Sequence, residues 1–243
     1  LFFIAIFEDM RKMIIASTST VYDSRYLEYL MPTLSFFFKD ITSILFIPYA
    51  RPGGISYQKY TSIVKKSFKE INIVVKGIHE CKNPTEALKN AQAIFTGGGN
   101  TFELLNQLYE NDILHVLREV IDSGTPYLGT SAGSNICGVT IKNTNDMPIV
   151  YPSSFNALEV IPFNINAHYI DPIEGSTHMG ETRETRIKEF HIFNETPVLG
   201  LREGSWLEVI DHTITLKGNH TARLFLQNQQ PIELESGLEV TVF

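Results

Sequence analysis

Short apolar runs alternate with amphipathic stretches through the first two thirds of the chain. "KMIIAST" (12–18), "SILFIPYA" (43–50), "INIVVKGI" (71–78), "AQAIFT" (91–96) and "TPYLGT" (125–130) read as buried strands. Between them lie stretches of helical pattern. "SRYLEYLMPTLSFFFKD" (24–40) predicts a helix with a proline in it. In "SYQKYTSIVKKSFKEI" (56–71), Tyr60, Ile63, Val64, Ser67, Phe68 and Ile71 recur at helical spacing. "NPTEALKNA" predicts a short helix capped by Asn83, with Pro84 at its first position. Residues 100–122 predict one long helix or two abutting ones, stopped by Ser123-Gly124. "SAGSNIC" starts another helix. Apolar strands alternating with helices imply an α/β fold with a mostly parallel central sheet flanked by helices. Active residues of such sheets stand at the carboxyl ends of the strands.

The last third changes period. A helix is predicted over 180–195. "PVLGLRE", "WLEVI", "TITLKG", "ARLFLQ" and "LEVTVF" then follow, separated by turn residues, and read as C-terminal β-hairpins. Nothing resembling a linker or repeat interrupts the chain, so residues 1–243 are expected to form one domain. The opening "LFFIAIFEDM" has an apolar run of seven residues with no basic residue before it and no small-residue cleavage site after it. It matches neither an export signal nor a membrane span, which needs about 20 apolar residues. Residues 1–9 are expected to be a non-essential N-terminal extension.

Composition narrows the classes. Hydrophobic residues make up 43% of the chain, enough for a sizeable core, and the net charge is −7. An acidic chain does not suit a nucleic-acid partner, and an acidic ligand would need a local cation. Cys81 and Cys137 are the two cysteines and have no metal-type spacing, which fits a reducing cytoplasm. With no H-E-x-x-H pattern and no Cys/His cluster, no metal or cofactor is expected.

Candidate chemistry centres on Gly129-Thr130-Ser131-Ala132-Gly133, a G-x-S-x-G pattern between a strand and a helix. Such a turn exposes a nucleophilic serine, and its glycines are expected to let the chain turn. A serine nucleophile needs a base, an orienting acid and an oxyanion hole. The Ala132 amide is one oxyanion donor, and Gly97, Gly98 and Gly99 of "TGGGN" are candidates for the second. The alternative for that loop, a phosphate cradle, lacks its motif. Of the histidines, His79 stands at a strand end, and His115, His178, His191, His212 and His220 sit in helices, turns or a Gly/Ser-rich loop. His168 in "INAHYIDP" has a strand-end address and is the favoured base. Asp146, Asp171 and Glu203 all remain open as the acid.

Six blocks fall in the order seen in the peptidase E family of α-aspartyl dipeptidases: "TGGGNTFELL", "GTSAGSN", "TNDMPIV", "INAHYIDP", "GETRETRI" and "GLREGSW". The chain resembles that family over nearly its whole length from Met13. The resemblance implies a fold related to class I glutamine amidotransferases, with Ser131 as nucleophile, His168 as base and Glu203 as the third triad member. It also implies that Asp146 matters, in the site or in the fold, and that Arg183 of "GETRE" grips a substrate aspartate side chain. Gly98, Gly99 and Ala132 would line the oxyanion hole. The order serine, histidine, glutamate differs from the α/β-hydrolase order. The implied substrate is a small Asp-X dipeptide, handled in the cytoplasm without nucleic acid, membrane or cofactor, and a homodimer is left open. The rival readings are a cyanophycinase-like hydrolase of β-Asp-Arg polymer and a non-catalytic amidotransferase-like binding module.

Overall fold

The computed structural model describes residues 10–242 apart from residues 173, 174, 176 and 178. The extension expected over residues 1–9 and the candidate His178 therefore lie outside the described residues. The first sheet holds β1 (Lys12–Ala16), β2 (Ser43–Ile47), β3 (Val74–Gly77), β4 (Ile94–Thr96), β5 (Tyr127–Thr130), β8 (Ser205–Ile210) and β9 (Thr213–Gly218). Their order is β3-β2-β4-β5-β1-β8-β9. The five from β3 to β1 are parallel; β8 and β9 add antiparallel at one side.

The continuous apolar runs are explained by burial of both sheet faces. Successive side chains of a strand point to opposite sides. Met13, Ile15, Leu45, Ile47, Ile94 and Tyr127 enter one core with α3 (Pro84–Lys89), α4 (Thr101–Glu110) and α5 (Leu114–Asp122). Ile14, Ala16, Ile44, Phe46, Phe95 and Leu128 enter the other with α1 (Met31–Phe37) and α2 (Tyr57–Phe68). The helix predicted over 24–40 is shorter than expected, and Pro32 lies near its start. It stands in the first turn of α1, where its missing N–H has no helical acceptor to lose. The 100–122 stretch is two helices, parted at Asp112 in a left-handed conformation (φ 52°).

A second sheet departs from the hairpin expectation. Its order is β11-β10-β7-β6, with β6 (Asn164–Ala167), β7 (Val198–Leu201), β10 (Ala222–Phe225) and β11 (Ile232–Leu234). β7 is no hairpin arm: it runs parallel to β6 and antiparallel to the distant β10. Among the described residues, the expected strand "LEVTVF" pairs with β9 through an isolated bridge, Thr215 to Glu239, and forms no strand of its own. The helix α6 (Ala132–Asn135) is a single turn, and α7 (Arg183–Phe193) lies between β6 and β7 in the chain. The first core takes side chains from both sheets, including Ile165, Leu199, Leu201 and Leu224. As a result β5 of one sheet and β6 and β7 of the other end close together.

Candidate active site

Ser131 follows β5 directly, with φ 53° and ψ −111°. That ψ lies far from the left-handed helical well, a conformation that costs on the order of 1–3 kcal/mol and persists only where its surroundings fix it. Here they do. The Ser131 amide donates to the Ala16 carbonyl at the end of β1 (3.1 Å), and the buried Ser134 hydroxyl donates to that same carbonyl (2.6 Å). The flanking glycines do not make the turn, contrary to expectation, for neither has positive φ. They permit close packing instead. A Cβ on Gly133 would stand 2.2 Å from the Thr96 carbonyl oxygen, and one on Gly129 would stand 2.5 Å from that of Gly133.

His168 follows β6 directly, again with positive φ (55°). Its Nε2 lies 2.8 Å from Ser131 Oγ and its Nδ1 lies 2.6 Å from Glu203 Oε1. Glu203 stands just past β7. With the proton on Nδ1, the imidazole donates to Glu203 and accepts the Ser131 hydroxyl. The structure thus brings Ser131, His168 and Glu203, from three strand ends, into one hydrogen-bonded line.

Behind this line sits Ser17, fully buried at the end of β1. Its Oγ donates to the Leu201 carbonyl (2.7 Å) and accepts from the His168 amide (2.9 Å). One hydroxyl therefore ties β1 to the strand ends that carry His168 and Glu203. Sequence reasoning missed it; the small residues of "AST" at a strand end are the only signal it leaves.

The glycine loop stands beside the serine. A Cβ on Gly98 would lie 2.9 Å from Ser131 Cβ. The Gly97 amide is occupied by the Ile47 carbonyl (3.2 Å). The amides of Gly98, Gly99 and Ala132 donate to no group among the described residues. The Gly98 carbonyl is turned away by two donors, Tyr60 OH (3.2 Å) and Arg51 Nε (3.1 Å). In a trans peptide the following N–H, that of Gly99, points opposite to this carbonyl.

Asp146 makes no hydrogen bond to the line among the described residues. Its Oδ2 accepts the Thr101 amide (2.8 Å), the Thr101 hydroxyl (2.5 Å) and the Thr144 hydroxyl (3.2 Å). It thereby satisfies the first turn of α4, next to the glycine loop. Asn135 extends the network, donating to Thr101 Oγ1 (3.0 Å) and accepting the Ala167 amide (3.2 Å) just before His168. Asp171 is committed elsewhere, in a two-point pair with Arg202 (2.7 and 2.8 Å) that holds its carboxyl below the usual range.

Arg183 opens α7, half-buried. It makes no hydrogen bond or ion pair among the described residues. Burial and then nearby Arg186 make its charge harder to hold, and Asp146 opposes both. The remaining candidate histidines are elsewhere: His191 Nε2 donates to the Thr196 carbonyl (3.1 Å), His115 faces Asp112 (3.6 Å), and His220 lies beyond Gly204. Among the described residues, no three His, Cys, Asp or Glu side chains gather as a metal-binding group, and no helix is long and apolar enough to cross a membrane.

Comparison with known proteins places the chain in a family. Residues 13–217 match the model of "Peptidase family S51". The chain is 42% identical over 229 residues to "Peptidase E" of Streptomyces coelicolor, covering 94% of this chain and 93% of that one. It is 44% identical over 218 residues to the "Probable alpha-aspartyl dipeptidase" of Drosophila melanogaster, covering 88% and 90%. Among solved structures, that of a peptidase from an acI-B1 Actinobacterium matches with a TM-score of 0.68 at 16% identity, over 97% of this chain and 98% of that one. The family model spans most of the chain and the two relatives are 42% and 44% identical over most of it: the chain is a peptidase and belongs to peptidase family S51.

Proposed function

We propose that this peptidase is a serine dipeptidase that cleaves Asp-X dipeptides through an acyl-enzyme on Ser131. The observation that carries the reading is the line from Ser131 Oγ through His168 to Glu203 Oε1, 2.8 and 2.6 Å long. His168 Nε2 takes the Ser131 proton as Oγ attacks the aspartyl carbonyl. The developing oxyanion is met by the free amides of Ala132 and of Gly98 or Gly99. Imidazolium then returns its proton to the leaving nitrogen, the C–N bond breaks, and the amino acid X departs. Water repeats the sequence: His168 takes its proton, the hydroxide adds to the ester, and Ser131 leaves reprotonated. Glu203 holds the imidazole tautomer and stabilises its cation throughout.

Arg183 supplies the selection for aspartate. Long-range attraction does not help, since the chain is acidic overall. A half-buried guanidinium without a carboxylate of its own can form two parallel bonds to one in the substrate. The cytoplasmic setting is part of the same proposal.

The test is a dipeptide panel. Ser131→Ala should lose on the order of a millionfold in turnover of Asp-Leu while remaining folded. Retention of a tenth of the parent rate would remove Ser131 from the mechanism. Arg183→Met should abolish the preference for Asp-Leu over Asn-Leu, read as a ratio of kcat/KM. An unchanged ratio would assign aspartate selection to another group.

A further inference from the structure

The chain has eight arginines. Six pair with carboxylates among the described residues: Arg11 with Asp122, Arg25 with Glu28, Arg118 with Glu159, Arg186 with Glu181, Arg202 with Asp171 and Arg223 with Glu184. The other two, Arg51 and Arg183, have no carboxylate partner among those residues. Arg51 reaches the glycine loop beside Ser131, and Arg183 lies near Asp146, which holds the helix that follows that loop. On an acidic chain, two guanidinium groups that form no ion pair of their own call for anionic groups on a ligand.

Arg51 follows β2 and is exposed. Its stem is nonetheless held at two points. Nε donates to the Gly98 carbonyl at 3.1 Å, and the guanidinium lies over the Tyr60 ring, 5.3 Å from its centroid. These contacts use Nε and one face and leave the two terminal nitrogens free of any acidic partner among the described residues. Gly98 in turn abuts Ser131, for a Cβ on it would approach Ser131 Oγ to 3.4 Å. One glycine therefore stands between the guanidinium and the hydroxyl.

We infer that Arg51 binds the free α-carboxylate of the leaving residue and so restricts the enzyme to substrates that end one residue after the cleaved bond. This rests on the Asp-X reading above. An Asp-X dipeptide carries two carboxylates on either side of the scissile carbonyl. One is the aspartate side chain, assigned to Arg183. The other is the C-terminus, about one Cα–Cα step (~3.8 Å) past the cleaved bond. The spacing of Arg51 across a single glycine suits that second position. A longer peptide carries its carboxylate past the guanidinium, and an amide leaves it unpaired. The chemistry recognised is a terminal carboxylate, irrespective of the side chain of X. Arg51 is thus a specificity-determining residue and takes no proton in the reaction.

The experiment compares Asp-Leu with Asp-Leu-amide in the parent, Arg51→Gln and Arg51→Lys. The parent should favour the free acid by about tenfold to a hundredfold in kcat/KM, the worth of a charge-assisted pair. Arg51→Gln should bring the ratio close to one, and Arg51→Lys should restore part of it as a point charge. Loss of the Gly98 contact acts on both substrates alike and cancels in the ratio. A parent that cleaves both substrates equally overturns the inference and leaves the Asp-X reading intact. So does a preference that survives in Arg51→Gln. A parent that cleaves neither substrate counts against the Asp-X reading itself.

Discussion

Glu203 is more exposed than the imidazole it holds: 51% of its side chain is accessible, against 37% for His168. That exposure sets the worth of the carboxylate. Two unit charges about 4 Å apart attract by ~1 kcal/mol in water and ~4 kcal/mol near a protein surface. The carboxylate stabilises an imidazolium that exists only as the reaction proceeds, so its removal should act on turnover. Glu203→Gln is expected to lower kcat for Asp-Leu by about 10–1,000-fold, less than the ~10⁴ lost with a buried triad carboxylate. KM should change little, because Glu203 faces His168 and not the aspartate side chain. Steady-state kinetics decide it. A raised KM with kcat intact would make Glu203 a binding group.

At the scale of elements, Asp146 joins helix to loop. Its carboxylate accepts the amide and hydroxyl of Thr101, the first residue of α4, and Asn100 fastens the same loop by donating to the Met147 carbonyl (2.8 Å). Asp146→Asn keeps the shape and removes the charge at a helix N-terminus. It should cost about 1.5–3 kcal/mol of stability, the range for hydrogen bonds to charged groups, seen as a lower urea midpoint with unchanged slope. Activity should fall less than in Glu203→Gln. If Asp146→Asn is instead fully stable but inactive, Asp146 acts on the reaction, and its position near Arg183 becomes the place to look.

The addresses of Ser131, His168 and Glu203 were legible because each directly or nearly follows an apolar run, and parallel sheets put their chemistry at strand ends. The central strands β1, β2, β4 and β5 were legible because both of their faces are buried, leaving no polar alternation to confuse. The second sheet was not. β7 pairs with β6 across α7 and with β10 across the whole β8–β9 hairpin, and no local pattern records either pairing. Ser17 was invisible for the same reason: its two bonds span 151 and 184 residues of sequence. Asn143 reads as a loop residue, yet its amide donates to the Ile165 carbonyl (3.0 Å) and its own carbonyl accepts from Asn166 (2.8 Å), covering the open edge of β6.

The whole molecule poses the question of whether its two sheets can part. Ser131 belongs to one and His168 with Glu203 to the other, so a hinge between them would break the line of 2.6 and 2.8 Å contacts. The first core argues for a single unit, since Met13, Ile94 and Tyr127 share it with Ile165, Leu199 and Leu224. Two natural probes report on this. Trp206, the only tryptophan, lies on β8 and packs near Tyr29, ring centroids 6.3 Å apart. Cys137 lies just past α6 in the shared core, fully buried, and burial pushes its thiol well above the usual range. A protonated, enclosed thiol does not react until its surroundings open. In a Cys81→Ser background, which removes the half-buried thiol, alkylation of Cys137 and the fluorescence of Trp206 should therefore give one guanidinium midpoint. The same titration at tenfold higher protein concentration checks the homodimer, which would raise that midpoint by mass action. Labelling of Cys137 at denaturant concentrations where Trp206 is still native would mean that the second sheet opens first, and that His168 and Glu203 leave Ser131 before the rest of the molecule unfolds.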